Sequence, residues 1–155
     1  MLRKADFLFL TLLRQNSRQT LTNISKKTKI PISTLYEKLK NHEKSFILKH
    51  TTLIDFNKLG YHCKAKIMLS LPKDDRDRIR GFLKEHSQVN SLFKINNGYD
   101  FLAEGVFENV KDLEDFIEEL EEKFNIRDKK VFYVIEDVKR ESFLARPEIL
   151  PQIIS

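Results

Sequence analysis

Two apolar patterns occur along the chain, and they predict two kinds of structure. Residues 4–15 read as a helix that is apolar on most of its circumference, so we expect it to be buried on more than one side. Residues 63–71 alternate between apolar and polar positions, as a half-buried strand does. The first part of the chain is therefore expected to be helical, and the second part to contain a sheet.

Residues 22–44 predict two short helices separated by a tight turn. Thr22 and Ser33 each carry a hydroxyl that can cap the start of one helix. Pro31 interrupts the helical pattern and biases Ile30 away from the helical conformation. A helix-turn-helix is therefore the expected arrangement, and two surface helices of an ordinary bundle are the plainer alternative.

The second of these helices carries a thin apolar seam, because Leu35 and Leu39 are four residues apart and point the same way. Its other faces are polar and cationic, and a helix-turn-helix places such a helix in the major groove of DNA. The β-branched residues within 45–55 predict an extended segment, a wing strand that becomes the connector to the second domain.

The second part of the chain shows the order strand, helix, strand, strand, helix, strand. Its strands are predicted at 63–71, 89–96, 101–107 and 130–137. Asn97-Gly98 marks a tight hairpin turn, since both central positions of the favoured turn need positive φ. The helix positions expected to face inward are Ile79, Phe82 and Leu83 in the first helix and Val110, Leu113, Ile117, Leu120 and Phe124 in the second. This order predicts the ferredoxin-like βαββαβ architecture, an antiparallel sheet with both helices on one face.

Apolar residues are also predicted on the face of this sheet that the helices leave uncovered. They are Met68, Leu92, Leu102, Val106, Phe132, Val134 and Val138. A slip of one residue in register would move them to the other face. An exposed apolar surface of this kind is usually an interface, so we predict a homodimer formed sheet to sheet. Two-fold symmetry would present two recognition helices to DNA half-sites about 34 Å apart.

The predicted fold class is α+β, with a winged helix-turn-helix domain at residues 1–54, a linker at 55–62 and a ferredoxin-like dimerisation domain at 63–140. Gly60 is the expected pivot of the linker. Residues 141–155 form a C-terminal tail, which is either a swapped arm over the partner subunit or a frayed end.

Charge is distributed unevenly between the two parts. Residues 1–60 contain twelve Lys and Arg against four Asp and Glu, a net charge of +8, whereas residues 61–155 contain sixteen against nineteen, a net charge of −3. A basic first part suits a polyanion such as double-stranded DNA, and the second part suits contacts with protein or a small molecule.

Other chemical signals are few. Cys63 is the one cysteine, so no disulfide forms within the chain, and a buried thiol is favoured over a metal ligand because His62 beside it points to the opposite face of a strand. The apolar run at 7–13 is too short to cross a bilayer and lacks a cleavage site. We expect a cytoplasmic protein with no metal, no cofactor and no membrane association.

Four stretches of the sequence resemble the Lrp/AsnC (feast/famine) family of archaeal and bacterial transcription regulators, and the resemblance extends to about Leu144. Residues 12–18 look like the family's entry into its helix-turn-helix, and residues 32–39 are similar to its recognition helix. Residues 55–60, Asp-Phe-Asn-Lys-Leu-Gly, resemble the family junction D-x-x-K-L-G. Residues 97–100, Asn-Gly-Tyr-Asp, are close to the G-x-Y-D hairpin of its ligand-sensing domain. The last two matches are the more specific.

The chain departs from the family pattern at three places. Ser45 and Phe46 stand before Ile47, where the family usually has Glu-Gly at the entry to the wing. His42 stands where a Leu is common, and Asn97 stands where the family has Gly.

The resemblance implies a regulator whose second domain senses an amino-acid-like effector and whose dimers can assemble further. By position, the residues expected at base edges are Ser33, Thr34, Glu37 and Lys38, with Tyr36 against a thymine methyl. The cations expected at phosphates are Arg18, Lys26, Lys27, Lys29, Lys40 and Lys49. The expected effector residues are Asn97, Gly98, Tyr99 and Asp100, with Asp100 pairing to an amino group and backbone N–H groups taking a carboxylate. A plain hairpin is the alternative there.

Two other functions are compatible with this plan. Siroheme decarboxylases resemble the same two-domain arrangement, but such a site would need histidines and arginines converging on an acidic tetrapyrrole. The histidines of this chain, His42, His50, His62 and His86, are scattered over both domains. The second alternative function is that of a ligand-binding protein whose helix-turn-helix has lost its affinity for DNA. We therefore expect a sequence-specific DNA-binding regulator and not an enzyme, with no catalytic residues.

Overall fold

The computed structural model describes residues 2–153, and these divide into two units. The first unit contains the residues up to Leu53 together with those from Val138 onward, and the second unit runs from Ile54 to Asp137. The chain therefore leaves the first unit, forms the whole of the second, and returns.

Three helices form the centre of the first unit: α1 (Lys4–Gln15), α2 (Leu21–Thr28) and α3 (Ile32–Glu43). The predicted bounds of the first helix are confirmed. A small core joins the three helices through the buried side chains of Phe9, Leu12, Ile24 and Leu35. Leu39 packs against this core, so the predicted seam of α3 does face inward.

The helix caps differ from those predicted. Thr20 caps α2, because its hydroxyl accepts a hydrogen bond from the Asn23 backbone N–H at 3.2 Å, so the assignment of Thr22 is wrong. Pro31 occupies the N-cap of α3, where it makes no side-chain hydrogen bond, and Ser33 lies inside the helix. The proline fixes an extended backbone directly before α3, and this starts the helix two residues earlier than a Ser33 cap would.

The segment at residues 45–55 contains no strand, so the predicted wing strand is wrong for the described residues. The backbone N–H groups of Ser45, Phe46 and Ile47 all turn back to the carbonyl of His42, which closes the end of α3. Beyond this turn the side chain of Leu48 is 98% exposed. A strand needs a hydrogen-bonded neighbour, and the sheet of the second unit pairs only its own four strands among the described residues.

The end of the chain folds against α1 within the first unit. A short 3-10 helix at Pro147–Ile149 leads into α6 (Leu150–Ile153), and both contact α1. The side chain of Leu150 is only 3% exposed. This segment covers part of the circumference of α1 that the apolar pattern predicted to be buried.

The second unit has the predicted strand and helix order. Its strands are β1 (Cys63–Ser70), β2 (Val89–Lys94), β3 (Phe101–Phe107) and β4 (Asp128–Tyr133), and its helices are α4 (Arg76–Glu85) and α5 (Val110–Lys123). The four strands pair antiparallel in the order β2-β3-β1-β4. This is the ferredoxin-like topology, and that prediction is confirmed.

The core of this unit lies between the helices and alternate residues of β1, from Cys63 to Leu69. Most of the helix positions that were predicted to face inward are buried there. The prediction for Val110 is wrong, since its side chain is 52% exposed. Val110 is the first residue of α5 and precedes the turns that lie over the core. Phe116 is buried in its place, a position that the apolar pattern missed.

The open face of the sheet is the one opposite the helices. Cross-strand partners place Met68 beside Leu102, and Val106 beside Lys64, on this face. The predictions for Met68, Leu102, Val106, Phe132 and Val134 are confirmed by the strand pairings. Lys66 and the buried Glu104 form an ion pair among them, so the face is not purely apolar.

Two residues predicted on the open face lie elsewhere. Leu92 pairs with Ala103 and packs into the helix-covered core. A bulge between Val89 and Ser91 shifts the register of β2 by one residue, and such a shift moves side chains to the other face. Val138 lies beyond the end of β4 and is 87% exposed.

Candidate nucleic-acid interface

The outward side of α3 is polar and exposed. It presents Ser33, Thr34, Tyr36 and Glu37, while Leu35 is fully buried beneath them. The side chain of Tyr36 is 58% exposed. The structure therefore brings four of the five residues predicted at base edges onto one accessible helical surface, as a helix-turn-helix requires of its second helix.

The predicted phosphate-binding cations all lie on the surface of the first unit. They are Arg18, Lys26, Lys27, Lys29, Lys40 and Lys49, and each is exposed. Lys29 has a left-handed backbone with φ of 61° at the end of α2, so it turns the chain towards α3 as well as carrying charge.

A polar hollow lies between the end of α1 and α2, with a volume of about 490 Å³. Its lining consists of Gln15, Asn16, Gln19, Asn23, Lys26 and Lys27. The two lysines were predicted, and the four amide side chains were missed. Amide side chains are common partners of DNA phosphates, and the run of Gln and Asn at the end of α1 was the available signal.

Lys38 differs from the other residues predicted on α3, because it is only partly exposed and forms an ion pair with Asp6 of α1. Asp6 is buried, and its other carboxylate oxygen accepts a hydrogen bond from the Arg3 backbone N–H at 3.0 Å. Burial alone would raise the pKa of the Asp6 carboxyl. The hydrogen bonds from Lys38 and Arg3 and the charges of Lys38 and His42 outweigh burial, and they hold the pKa below its ordinary value.

His42 lies one turn further along α3 and is buried on the same side as Lys38. Its Nε2 atom stands 3.5 Å from Asp6 Oδ1, without a hydrogen-bond partner among the described residues. The imidazole packs between the rings of Phe9 and Phe46, whose centroids are 6.0 and 5.5 Å away. Sequence reasoning missed Asp6, although a single acid at the start of an apolar helix was a visible signal.

The predicted effector residues lie in the hairpin between β2 and β3. Asn97 and Gly98 have φ of 63° and 88°, which confirms a turn with both central positions in the left-handed region. The Tyr99 hydroxyl donates a hydrogen bond to Asp128 at 2.7 Å, and this bond raises the pKa of the phenol. The Asp100 carboxylate is already occupied by contacts within the unit, since it accepts from the Leu71 backbone N–H.

A second cleft, of about 440 Å³, lies at the opposite end of β2 and β3 from this hairpin. Its lining residues are Phe56, Leu59, Tyr61, Ser87, Gln88, Asn90, Val106, Glu108 and Asp112. None of them was predicted as a site residue. They come from four separate stretches of sequence, which no local motif connects.

The described residues contain no cluster of three or more His, Cys, Asp or Glu side chains arranged to hold a metal ion. Cys63 is buried, and burial together with the charges of Asp112 and Glu114 raises the pKa of its thiol. His50 pairs with Glu43 at 3.0 Å, and His86 packs on Phe116 with ring centroids 4.7 Å apart. Residues 2–153 contain no helix that is both long and apolar enough to span a membrane.

Comparison with known proteins gives consistent results. Residues 64–144 match the family model described as the Lrp/AsnC ligand binding domain. Over 143 residues the chain is 23% identical to an uncharacterized HTH-type transcriptional regulator of Pyrococcus furiosus, covering 92% of this chain and 96% of that one. It is 27% identical over 121 residues to the transcriptional regulator AzlB of Bacillus subtilis, covering 76% and 77%.

Solved structures show the same fold. The AsnC structure of E. coli superposes with a TM-score of 0.82 at 14% identity, over 93% of this chain and 99% of that one. A transcriptional regulator of Neisseria meningitidis in complex with L-Met superposes with a TM-score of 0.83 at 21% identity, over 90% and 94%.

Proposed function

The chain belongs to the Lrp/AsnC family, and on that premise we propose that it is a sequence-specific DNA-binding regulator of transcription. The observation that carries this proposal is the exposed polar face of α3, which rests on a buried apolar core and is flanked by exposed cations. The relatives from Pyrococcus furiosus and Bacillus subtilis support it, since both are named as transcriptional regulators. Their names also support action by binding rather than by catalysis.

Base recognition is assigned to the outward side of α3. Ser33 and Thr34 can donate to or accept from base edges, and Glu37 can accept from the amino group of cytosine. Tyr36 offers an apolar ring edge to a thymine methyl. These four residues occupy a little over one helical turn, which is the length of helix that reaches base edges in a major groove.

Affinity for DNA is assigned to the cations around α2 and α3. The amide side chains of the polar hollow are assigned as additional contacts to phosphates. Lys26 and Lys27 line the hollow together with Asn16 and Asn23. Phosphate contacts of this kind position a protein on the duplex and carry no sequence information. The net charge of +8 on residues 1–60 supports the assignment.

A homodimer formed through the open sheet face is the second part of the proposal. Phe93 and Phe132 are about half exposed on that face, beside Leu102 and Val106. A two-fold axis would pair each apolar side chain with the same patch of the second copy and would present two recognition helices. Further assembly of dimers is an extension of the same proposal.

An amino-acid effector is proposed at the hairpin of Asn97, Gly98, Tyr99 and Asp100. The regulator of Neisseria meningitidis that shares the fold is described in complex with L-Met, which supports this ligand class. Backbone N–H groups of the turn can take the carboxylate. Because the Asp100 carboxylate already binds within the unit, an ammonium group would have to share it.

Selection of bound duplexes from a random DNA pool tests the function. The expected result is an enriched palindrome with a defined centre. The matched variants are Lys26→Gln/Lys27→Gln, which should weaken retention of the pool, and Lys84→Gln, an exposed lysine of the second unit, which should not. Absence of any enriched or retained duplex at low ionic strength would contradict the proposal.

A further inference from the structure

The ion pair between Asp6 and Lys38 joins the first helix of the chain to the helix proposed to read DNA. Asp6 is nine-tenths buried, and Lys38 is about three-quarters buried, with 26% of its side chain exposed. Lys40 of the same helix is exposed, whereas Lys38 is directed inward, to a carboxylate beneath the helix.

The carboxylate of Asp6 is itself held in place. One oxygen accepts from the Arg3 backbone N–H at 3.0 Å, across the start of α1, and the other receives Lys38. The same oxygen lies 3.5 Å from His42 Nε2. Asp6 is therefore attached to the first turn of α1 on one side and faces two successive turns of α3 on the other.

The apolar seam of α3 is thin, so the ion pair of Lys38 adds to the buried ring of His42 in setting the rotation of the helix about its axis. Leu35 and Leu39 are its aliphatic contacts in the core of the first unit, and aliphatic packing tolerates some rotation and sliding. The Asp6 carboxylate is held by Arg3, so the ion pair limits how far Lys38 and its turn of α3 can move from it. Successive residues of a helix are turned by about 100°, so a rotation that released Lys38 would carry Thr34 and Glu37 away from their present direction.

We propose that Asp6 and Lys38 are positioning residues, which fix the rotation of α3 so that its outward residues meet the base edges. This inference rests on the proposed function and reassigns Lys38 from a contact with DNA to a contact beneath it. Loss of the ion pair between Asp6 and Lys38 should then reduce discrimination between DNA sequences. The sequence-independent attraction of the surrounding cations for phosphate should persist.

A binding experiment separates the two roles of Lys38. The probes are a duplex enriched from the random pool and a shuffled duplex of equal length, each titrated between 50 and 200 mM salt. For Asp6→Asn and for Lys38→Met we expect the ratio of the two affinities to fall about tenfold, the order of one misplaced base contact. The salt dependence should stay that of the unmodified chain.

Two control variants complete the comparison. Lys40→Met removes an exposed cation from the same helix, and it should lower the salt slope by about one for each subunit while leaving the ratio of affinities unchanged. Lys38→Arg keeps a cation that can pair with Asp6, and it should restore the ratio. An equal loss of both affinities, with their ratio unchanged, would overturn the proposal.

Coupling between the residues is the decisive measurement. The double variant Asp6→Asn/Lys38→Met should discriminate no worse than either single variant, because each already breaks the pair. Losses of discrimination that add in the double variant would overturn the proposal. A lower salt slope for Lys38→Met, with no effect of Asp6→Asn on the ratio of affinities, would also overturn it.

The same cycle measured by chemical unfolding without DNA is independent of the proposed function. Failure of the unmodified chain to select any duplex would refute that function, while a zero coupling free energy in the unfolding cycle would refute the pair.

Discussion

The carboxylate of Asp100 binds Arg76 Nε at 2.8 Å, and its other oxygen accepts from the Leu71 backbone N–H at 2.8 Å. Asp100 follows the tight turn between β2 and β3, while Arg76 begins α4 and Leu71 follows β1. One side chain thus joins the hairpin to the connection between a strand and a helix. Asp100, which sequence similarity assigned to effector binding, therefore stabilises the hairpin that is proposed to bind the effector.

Replacing Asp100 should destabilise the second unit. Asp100→Ala leaves the N–H of the buried Leu71 without its acceptor, and such a loss costs about 1–3 kcal/mol. Chemical denaturation followed by circular dichroism measures the change. Asp74→Ala, at an exposed acid close to the start of α4, is the matched control and should stay within about 0.5 kcal/mol. Equal effects of the two variants would contradict the assignment.

Effector binding has its own thermal test. Amino acids added one by one to the unmodified chain should raise the unfolding temperature if one of them binds the folded state. The variant Asn97→Ala, in which a left-handed turn residue is replaced, should weaken that response. A panel in which no amino acid shifts the transition would refute the effector part of the proposal.

Acid should destabilise the first unit through Asp6. The pKa of this carboxyl is lowered in the folded state, so its contribution to stability is fully present above the pKa of an unfolded Asp, about 3.9. That contribution is lost as the pH falls through the lower, folded pKa. Unfolding measured from pH 6 downwards should show a steeper loss of stability below about pH 4 for the unmodified chain than for Asp6→Asn. Parallel curves would contradict this.

The open sheet face should control association. Phe132→Asp places a charge on an apolar position that the proposed second copy covers, so the dimer should dissociate at protein concentrations where the unmodified chain is associated. Val110→Asp is the matched control, because the exposed fractions of Phe132 and Val110 are 51% and 52%, and Val110 lies on α5, on the opposite side of the sheet. Sedimentation equilibrium distinguishes them, and dissociation of both variants or of neither would argue against this interface.

DNA affinity should fall steeply with salt. A dimer that contacts about 6–10 phosphates should lose about 10³–10⁵-fold in affinity between 50 and 200 mM salt. Lys26→Gln/Lys27→Gln should reduce the slope by about two for each subunit, since both lysines line the polar hollow. Fluorescence anisotropy with a labelled duplex measures the slope, and salt-independent binding would be inconsistent with the assignment.

The C-terminal segment should stabilise the first unit. Leu150 is buried against α1, and truncation of such a side chain typically costs about 2–5 kcal/mol. Arg14 also binds this segment, because its Nε donates to the Phe143 carbonyl at 2.7 Å. Leu150→Ala should therefore lower the unfolding midpoint of the first unit, whereas the exposed Gln152→Ala should leave it unchanged.

Local periodicity was sufficient for the order of helices and strands. The bounds of α1, the buried positions of Leu113, Ile117 and Leu120 in α5, and the left-handed turn at Asn97 and Gly98 all follow from rules that act within about ten residues. The exposed residues of α3 were accessible to the same reasoning, because an amphipathic helix places its polar residues outward.

Long-range packing decided the rest. The register of β2 depends on a bulge that follows from pairing with β3, so alternation alone placed Leu92 on the wrong face. Lys38 and Asp6 are thirty-two residues apart, and no local rule indicates that one will neutralise the other. Periodicity shows which side of an element is apolar, whereas partners of single charged or terminal residues depend on what the folded chain brings next to them.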